Sequence, residues 1–217
     1  MKKRRPTPKT GRSGLLVVFD IGNVLLRFDM ERAVRNFEKL SPGLGTRIAP
    51  FLRRPALSRR FERGKISGPA LYRYLKKETG FRLSYPAFCL AFSDIFTPVR
   101  ENLRLMKKIS AARPVAVLSN TNSIHWRHIH AHYPAFRHVR WPYSSHLLGH
   151  MKPDPRIFYA LSRRTGFPLG RMILIDDRPE NVRGARRIGM AAVHYRGQPL
   201  HRHAALKTFQ LRKDARR

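Results

Sequence analysis

Three apolar runs, far apart in the chain, end in residues of one chemical kind. Asp20 closes LLVVFD (15–20), Ser119 and Asn120 close PVAVLSN (114–120), and the pair Asp176–Asp177 closes RMILIDD (171–177). Lys152 stands in HMKPDP, just ahead of a helical pattern. Carboxylates bind a hard cation through oxygen, while a hydroxyl and an ammonium suit the oxygens of a phosphoryl group. Only 13 Asp and Glu occur in 217 residues, so three acids in one such set are a sizeable share of the supply.

For these residues to meet, the runs must be strands of one sheet. Each has the unbroken apolar character of a strand buried on both faces, and MAAVHY (190–195) repeats it. Helical patterns lie between them: NLRLMKKIS (102–110), DPRIFYALSRRTG (154–166) with Pro155 in its first turn and Gly166 as its stop, and PENVRGARRIG (179–189). Strands alternating with helices predict right-handed crossovers and a Rossmann-like α/β fold with a doubly wound parallel sheet. In such a sheet the ligand site lies beyond the carboxyl ends of the strands, where Asp20, Ser119, Asn120, Asp176 and Asp177 all fall.

The stretch from Asp29 to Thr97 breaks the alternation. It holds amphipathic runs, MERAVRNFEKL, LSRRFERGK, GPALYRYLKKETG and YPAFCLAFSDIF, and predicts a small all-α insertion after the first strand, with Asp29 capping its first helix. The expected organisation is a basic disordered tail at 1–13, a core at 14–28 and 98–200, the helical insertion at 29–97, and a basic segment at 201–217.

Four segments, FDIGNVLL (19–26), LSNTN (118–122), MKPDPRIF (151–158) and LIDDRPENVRGARRIGM (174–190), resemble in order the four motifs of the haloacid-dehalogenase superfamily, from Leu15 to about Tyr195. Their form is similar to that of the bacterial α-D-glucose-1-phosphate phosphatases and the phosphatase domain of soluble epoxide hydrolases. The resemblance implies a Mg²⁺-dependent phosphatase acting on a small phosphorylated metabolite, a sugar phosphate by preference, through an aspartyl-phosphate. It makes Asp20 the nucleophile and a metal ligand, Asp177 a second ligand, Asp176 a direct or water-mediated one, and the Gly22 carbonyl the last. Ser119, with N–H groups near Asn120, would bind a phosphoryl oxygen, Lys152 would neutralise charge, and Asn181 would orient the carboxylates or the lysine. The insertion would be the cap over the site.

One departure stands out. Two residues after the nucleophile, most phosphatases of the superfamily carry an aspartate that acts as general acid and base, and this chain has Gly22. Such groups supply roughly 10²- to 10⁴-fold in rate. The loss is tolerable where the leaving group is good, as an anomeric oxygen is, or where water or a cap residue delivers the proton.

A 2-haloacid dehalogenase is the first alternative, but its family pattern has a tyrosine where Gly22 stands and lacks the acid pair. The second is a polyanion- or nucleic-acid-binding protein on a relict hydrolase fold, since 45 Lys and Arg give a net charge of +32. That charge is spread along the chain with few interleaved aromatics, so non-specific polyanion binding is the most it predicts. A single cysteine, Cys89, excludes internal disulfides and zinc-thiolate clusters. No apolar run approaches the roughly 20 residues of a membrane span, and a cytoplasmic protein is expected. His125, His128, His130 and His132 lack a neighbouring carboxylate or thiol and are expected to pack or face solvent, as are Arg53, Arg54, Arg59 and Arg60 on the insertion.

Overall fold

In the computed structural model, which describes residues 14–203, the first apolar run forms β1 (Leu16–Phe19), with all four side chains buried. Alternate residues serve two different cores: Val17 and Phe19 pack on one face of the sheet, Leu16 and Val18 on the other. A strand whose run of apolar residues is continuous must be covered on both sides. After a loop, β2 (Leu26–Phe28) leads into five helices, α1 (Met30–Leu40), α2 (Leu44–Leu52), α3 (Pro55–Glu62), α4 (Gly68–Thr79) and α5 (Tyr85–Ser93). Next, β3 (Phe96–Pro98) pairs antiparallel with β2, Leu26 opposite Pro98 and Phe28 opposite Phe96. The chain therefore enters and leaves the insertion through one two-stranded ribbon.

The remaining elements are α6 (Arg100–Ser110), β4 (Val115–Ser119), α7 (Ser123–His132), β5 (Trp141–Ser144), α8 (Ser145–Leu148), α9 (Pro155–Thr165), β6 (Met172–Asp176), α10 (Pro179–Arg187) and β7 (Ala191–His194). Five strands form a parallel sheet in the order β5-β4-β1-β6-β7. Leu105 and Met106 of α6 and Ile129 of α7 cover the face of Val17 and Phe19, while Ile157, Phe158 and Leu161 of α9 and Ala185 of α10 cover the other. Winding runs outward from β1 to β5 and resumes at β6 on the opposite side. The reversal at β1 opens a crevice at its carboxyl end.

The five-helix cap has a core of its own, built on Phe37, Leu44, Ile48, Leu75 and Phe88, with the rings of Phe81, Phe88 and Phe92 stacked at centroid separations of 5.6 and 6.0 Å. Burial of each such side chain is worth roughly 1.5–3 kcal/mol, which favours a defined shape for the insertion. Ile124 of α7 joins this cluster, and Met30 and Leu52 of the cap touch the core of the body. The cap is thus seated on the sheet domain through apolar contacts.

Several elements, α2, β5 and the β2–β3 ribbon among them, carry no clear pattern in the sequence. Helix α2 contains Gly45 and Pro50, which interrupt its pattern, yet Leu44 and Ile48 are fully buried. Strand β5 has four residues including Pro142, tolerated because the strand lies at a sheet edge. The β2–β3 ribbon abuts the first expected limit of the insertion and crosses the second, and each strand is too short to show a period. Residues 1–13 and 204–217, which hold the basic tail and most of the C-terminal segment, lie outside the described residues. Among the described residues no helix is long and apolar enough to cross a membrane.

Candidate active site

Parallel register sets the strand ends side by side. Phe19 pairs with Val117 on one side and Ile175 on the other, and the Asp20 N–H donates to the Ile175 carbonyl at 2.9 Å. Asp20 and Asp176 therefore leave adjacent strands at the same level, and Ser119, opposite Ser144, ends β4 at the same edge. Lys152 comes to this edge from the loop before α9. Its side chain is fully buried, with Nζ 3.0 Å from Asp20 Oδ2 and 2.5 Å from Asp176 Oδ2. Asn120 holds the lysine backbone: its Nδ2 donates to the Lys152 carbonyl and its Oδ1 accepts from the Lys152 N–H, both at 2.8 Å. The Asn120 amide is thus spent on positioning Lys152, and only its backbone is left to face a ligand.

Asp176 is enclosed. Its Oδ1 accepts from the Arg178 N–H and from Asn181 Nδ2, each at 2.9 Å, while Oδ2 faces Lys152. Asp177 is half-buried, and its Oδ2 accepts from Asn23 Nδ2 at 2.9 Å. Asn23 is the one non-glycine among the described residues in the left-handed region, at φ 53°, a conformation asparagine tolerates better than most. His194, at the end of β7, donates from Nε2 to the Asp177 carbonyl at 2.9 Å, because its Nδ1 accepts from Arg196 Nε. One oxygen from each of Asp20, Asp176 and Asp177 lies within 4.8 Å of the others. Three carboxylates with no nitrogen or sulfur donor fit a hard divalent cation that keeps water and ligand oxygens in its other positions, as Mg²⁺ does.

The electrostatics follow from burial around a single ammonium. Burial pushes Asp20 up to about 7; Lys152 pulls against this, and the charges of Asp176 and Asp177 add to the rise. Burial also raises Asp176, but Lys152, the Arg178 N–H and Asn181 outweigh it and hold the carboxyl below its ordinary range. For Lys152, burial disfavours the charge, and the two carboxylates more than restore it. Asp176 and Lys152 thus form an ionised pair, while burial makes Asp20 easier to protonate than an ordinary carboxyl, and further positive charge nearby would favour its ionised form.

Residues 15–189 match the model of the haloacid dehalogenase-like hydrolases. The chain belongs to that family. It is 28% identical over 187 residues to a D-ribitol-5-phosphate phosphatase of Bacteroides thetaiotaomicron, covering 80% of this chain and 87% of that protein. A haloacid-dehalogenase-family enzyme of the same organism, solved in complex with magnesium and inorganic phosphate, superposes with a TM-score of 0.75 at 24% identity over 89% of this chain and 99% of that one. The L-2-haloacid dehalogenase of Xanthobacter autotrophicus shares the fold at a TM-score of 0.58 and 16% identity, over 92% and 88% of the two chains.

In this hydrolase the helix after the acid pair presses on the lysine loop. A Cβ added to Gly184 of α10 would sit 2.8 Å from both the Cβ and the carbonyl oxygen of Pro153, the residue after Lys152. Gly184→Ala should therefore shift the Lys152 segment and lower kcat by about tenfold, since displacements near 1 Å at a reacting centre can cost as much as about 10². Alanine otherwise favours a helix by up to ~1 kcal/mol. A variant with raised Tm and unaltered kcat would show that the contact does not matter.

The other groups weighed from sequence are not among the side chains of the aspartate–lysine cluster. Gly22 is in the loop after Asp20, where a Cβ would meet the Phe28 ring at 3.3 Å. His128 and His132 stack at 4.1 Å and Trp126 and His130 at 4.2 Å, while His125 is buried against Phe92. Among the described residues the aspartate trio is the only set of three or more side chains arranged to hold a metal ion. Arg53, Arg54, Arg59 and Arg60 are exposed, Arg53 paired with Glu31 at 2.7 Å. Asn23 and His194, which brace Asp177, were not singled out in the sequence; the only local signal for Asn23 is an asparagine directly after a glycine.

Proposed function

We propose that the chain is a Mg²⁺-dependent phosphatase that hydrolyses a small cytoplasmic phosphorylated metabolite, a sugar phosphate or a related polyol phosphate, through an aspartyl-phosphate. The observation that carries this reading is the Lys152 ammonium seated between Asp20 and Asp176 at adjoining strand ends, with Asp177 completing an all-oxygen trio. A phosphoryl group brings two negative charges against a carboxylate nucleophile, so charge neutralisation is the main task of such a site. The similarity to a ribitol-phosphate phosphatase supports the substrate class.

In this reading Asp20 Oδ attacks phosphorus as the bond to the leaving oxygen breaks, and water then attacks the same phosphorus and frees Asp20. Lys152 stays charged and screens Asp20 from the incoming phosphoryl oxygens. Ser119 donates its hydroxyl to one of them, beside the backbone N–H of Asn120. Asp20, Asp177 and the Gly22 carbonyl would hold Mg²⁺, and Asp176, whose oxygens already accept three hydrogen bonds, would reach it through water while Asn181 keeps its orientation. The bound ion supplies positive charge to the phosphoryl oxygens and to Asp20. The cap excludes bulk water while the ester is broken.

Phosphate release should be measured over p-nitrophenyl phosphate, sugar and polyol phosphates, nucleotides and phosphorylated acids. Turnover is expected with Mg²⁺, to fall at least about a hundredfold in excess EDTA and to return when Mg²⁺ is restored. Chloride release from 2-chloropropionate that ignores EDTA would instead support a dehalogenase. Steeply salt-dependent retention of DNA or RNA with no turnover of any ester would support a polyanion-binding protein.

A further inference from the structure

We propose that Glu62, carried by the cap, gives the leaving-group oxygen its proton in place of the acid missing at Gly22. The assignment rests on the phosphatase reading with Asp20 as nucleophile. From Ile21 to Phe28 the loop after Asp20 contains no acid, and the space a side chain at position 22 would enter borders the Phe28 ring. The proton must come from another element.

The end of α3 is where the cap closes on the catalytic edge. Gly64, at φ +70°, lies so close to α8 that a Cβ there would be 2.5 Å from the His146 carbonyl oxygen. The preceding residue, Ser145, exchanges two hydrogen bonds with Thr121, its Oγ accepting from the Thr121 N–H at 3.0 Å and donating to the Thr121 carbonyl at 3.1 Å. Thr121 belongs to the loop that begins at Ser119. Glu62, two residues before Gly64, lines a cavity of about 60 Å³ together with Ser58, Phe61 and Phe92 of the cap and Asn122 and His125 of the body. The charge of Arg178, the residue after Asp177, also acts on it. Glu62 therefore shares its cavity with Asn122, from the loop that begins at Ser119, and feels the charge of Arg178, the neighbour of Asp177.

The other polar groups of this cavity cannot serve. His125 donates from Nε2 to the Phe92 carbonyl and accepts at Nδ1 from Asn122, and burial pushes its pKa down to about 4, so it is held neutral with both nitrogens occupied. Asn122 accepts at Oδ1 from the N–H groups of Ile124 and His125. Outside the aspartate trio, the remaining described carboxylates either are exposed, as Glu78 and Glu101 are, or are bound to arginine or backbone N–H groups, as Asp29, Glu31, Glu38, Asp94, Asp154 and Glu180 are. Glu62 accepts a single 3.3 Å hydrogen bond from Ser58 Oγ. Burial raises its pKa to about 7, with Ser58 and Arg178 opposing, so the proton is available near neutrality.

In the first step Asp20 Oδ bonds to phosphorus, the ester P–O bond breaks with its electron pair going to the leaving oxygen, and that oxygen takes the Glu62 proton to leave as an alcohol. In the second, the Glu62 carboxylate takes a proton from water as the water oxygen bonds to phosphorus and the P–O bond to Asp20 breaks. Inorganic phosphate departs with Glu62 reprotonated.

The test compares kcat/KM, which reports the first step, for glycerol 2-phosphate and p-nitrophenyl phosphate, with Mg²⁺, in the full chain and in Glu62→Gln and Glu62→Asp. A strongly basic alkoxide needs the proton and p-nitrophenolate largely does not. Glu62→Gln should lose roughly 10²-fold or more on the glycerol ester and at least tenfold less than that on the nitrophenyl ester. Glu62→Asp should show the same contrast at smaller size, and it carries the test should the amide variant fail to fold. Equal losses on both esters, or a change confined to KM, would overturn the Glu62 assignment and leave the phosphatase reading standing. Absence of turnover of both esters by the unaltered protein would overturn the two together.

Discussion

Asp20→Asn should cut kcat on phosphate esters by roughly 10⁴-fold or more while the protein stays folded, because the amide keeps the shape of the carboxyl and loses the nucleophile. Its effect on stability has a definite sign. The folded-state pKa of Asp20 is raised to about 7 by burial against its ordinary carboxylate value, so the carboxyl favours the fold while protonated and loses that contribution as pH rises toward 7. An asparagine does not titrate. In EDTA, urea unfolding should therefore find Asp20→Asn more stable than the unaltered protein at pH 8, with the gap closing as pH falls toward 4. Saturating Mg²⁺ should reduce the gap by binding the unaltered site more tightly. A variant less stable at pH 8 than at pH 4, relative to the unaltered protein, would mean that the Asp20–Lys152 attraction outweighs burial. Retained activity above a hundredth would remove Asp20 from the role of nucleophile.

The contrast between what the sequence exposes and what it hides has a physical basis. Buried parallel strands are covered on both faces, so LVVF, VAVLS and MILID announce themselves as apolar runs, and the residue that ends each run lies at the ligand edge by topology alone. Family motifs then attach chemistry to those ends. Edge and hinge elements carry no such signature: β5 has one interior side and a proline, and the β2–β3 ribbon has three residues a side. The supporting contacts are hidden for another reason. Asn23 reaches Asp177 across 154 positions of sequence, His194 reaches the same residue from a different strand, and Asn120 clamps Lys152 by backbone bonds that no spacing encodes. Glu62 is the extreme case, since its surroundings exist only once the cap has closed on α8.

Replacing Lys152 tests whether one buried ammonium organises the whole site. Lys152→Met keeps the volume and removes the charge between Asp20 Oδ2 and Asp176 Oδ2, 3.0 and 2.5 Å away. Turnover should fall at least about 10³-fold. Losing one positioned donor of this kind costs about 10²–10³, and here the nucleophile is also harder to ionise. Breaking a buried ion pair from one side typically costs roughly 3–5 kcal/mol, because the partner charge is left without compensation. The variant can escape part of that by protonating the carboxylates, whose folded-state pKa values rise once the ammonium is gone. Groups raised in this way weaken the fold as pH increases through the raised pKa, whereas in the unaltered protein Asp176 is held low and strengthens the fold above its ordinary range. The destabilisation should accordingly approach that figure at pH 8 in EDTA and shrink at pH 5, and Mg²⁺ should recover part of it by supplying the missing positive charge. Equal destabilisation at the two pH values would place the cost in packing, and the ammonium would then have no organising role over the two carboxylates.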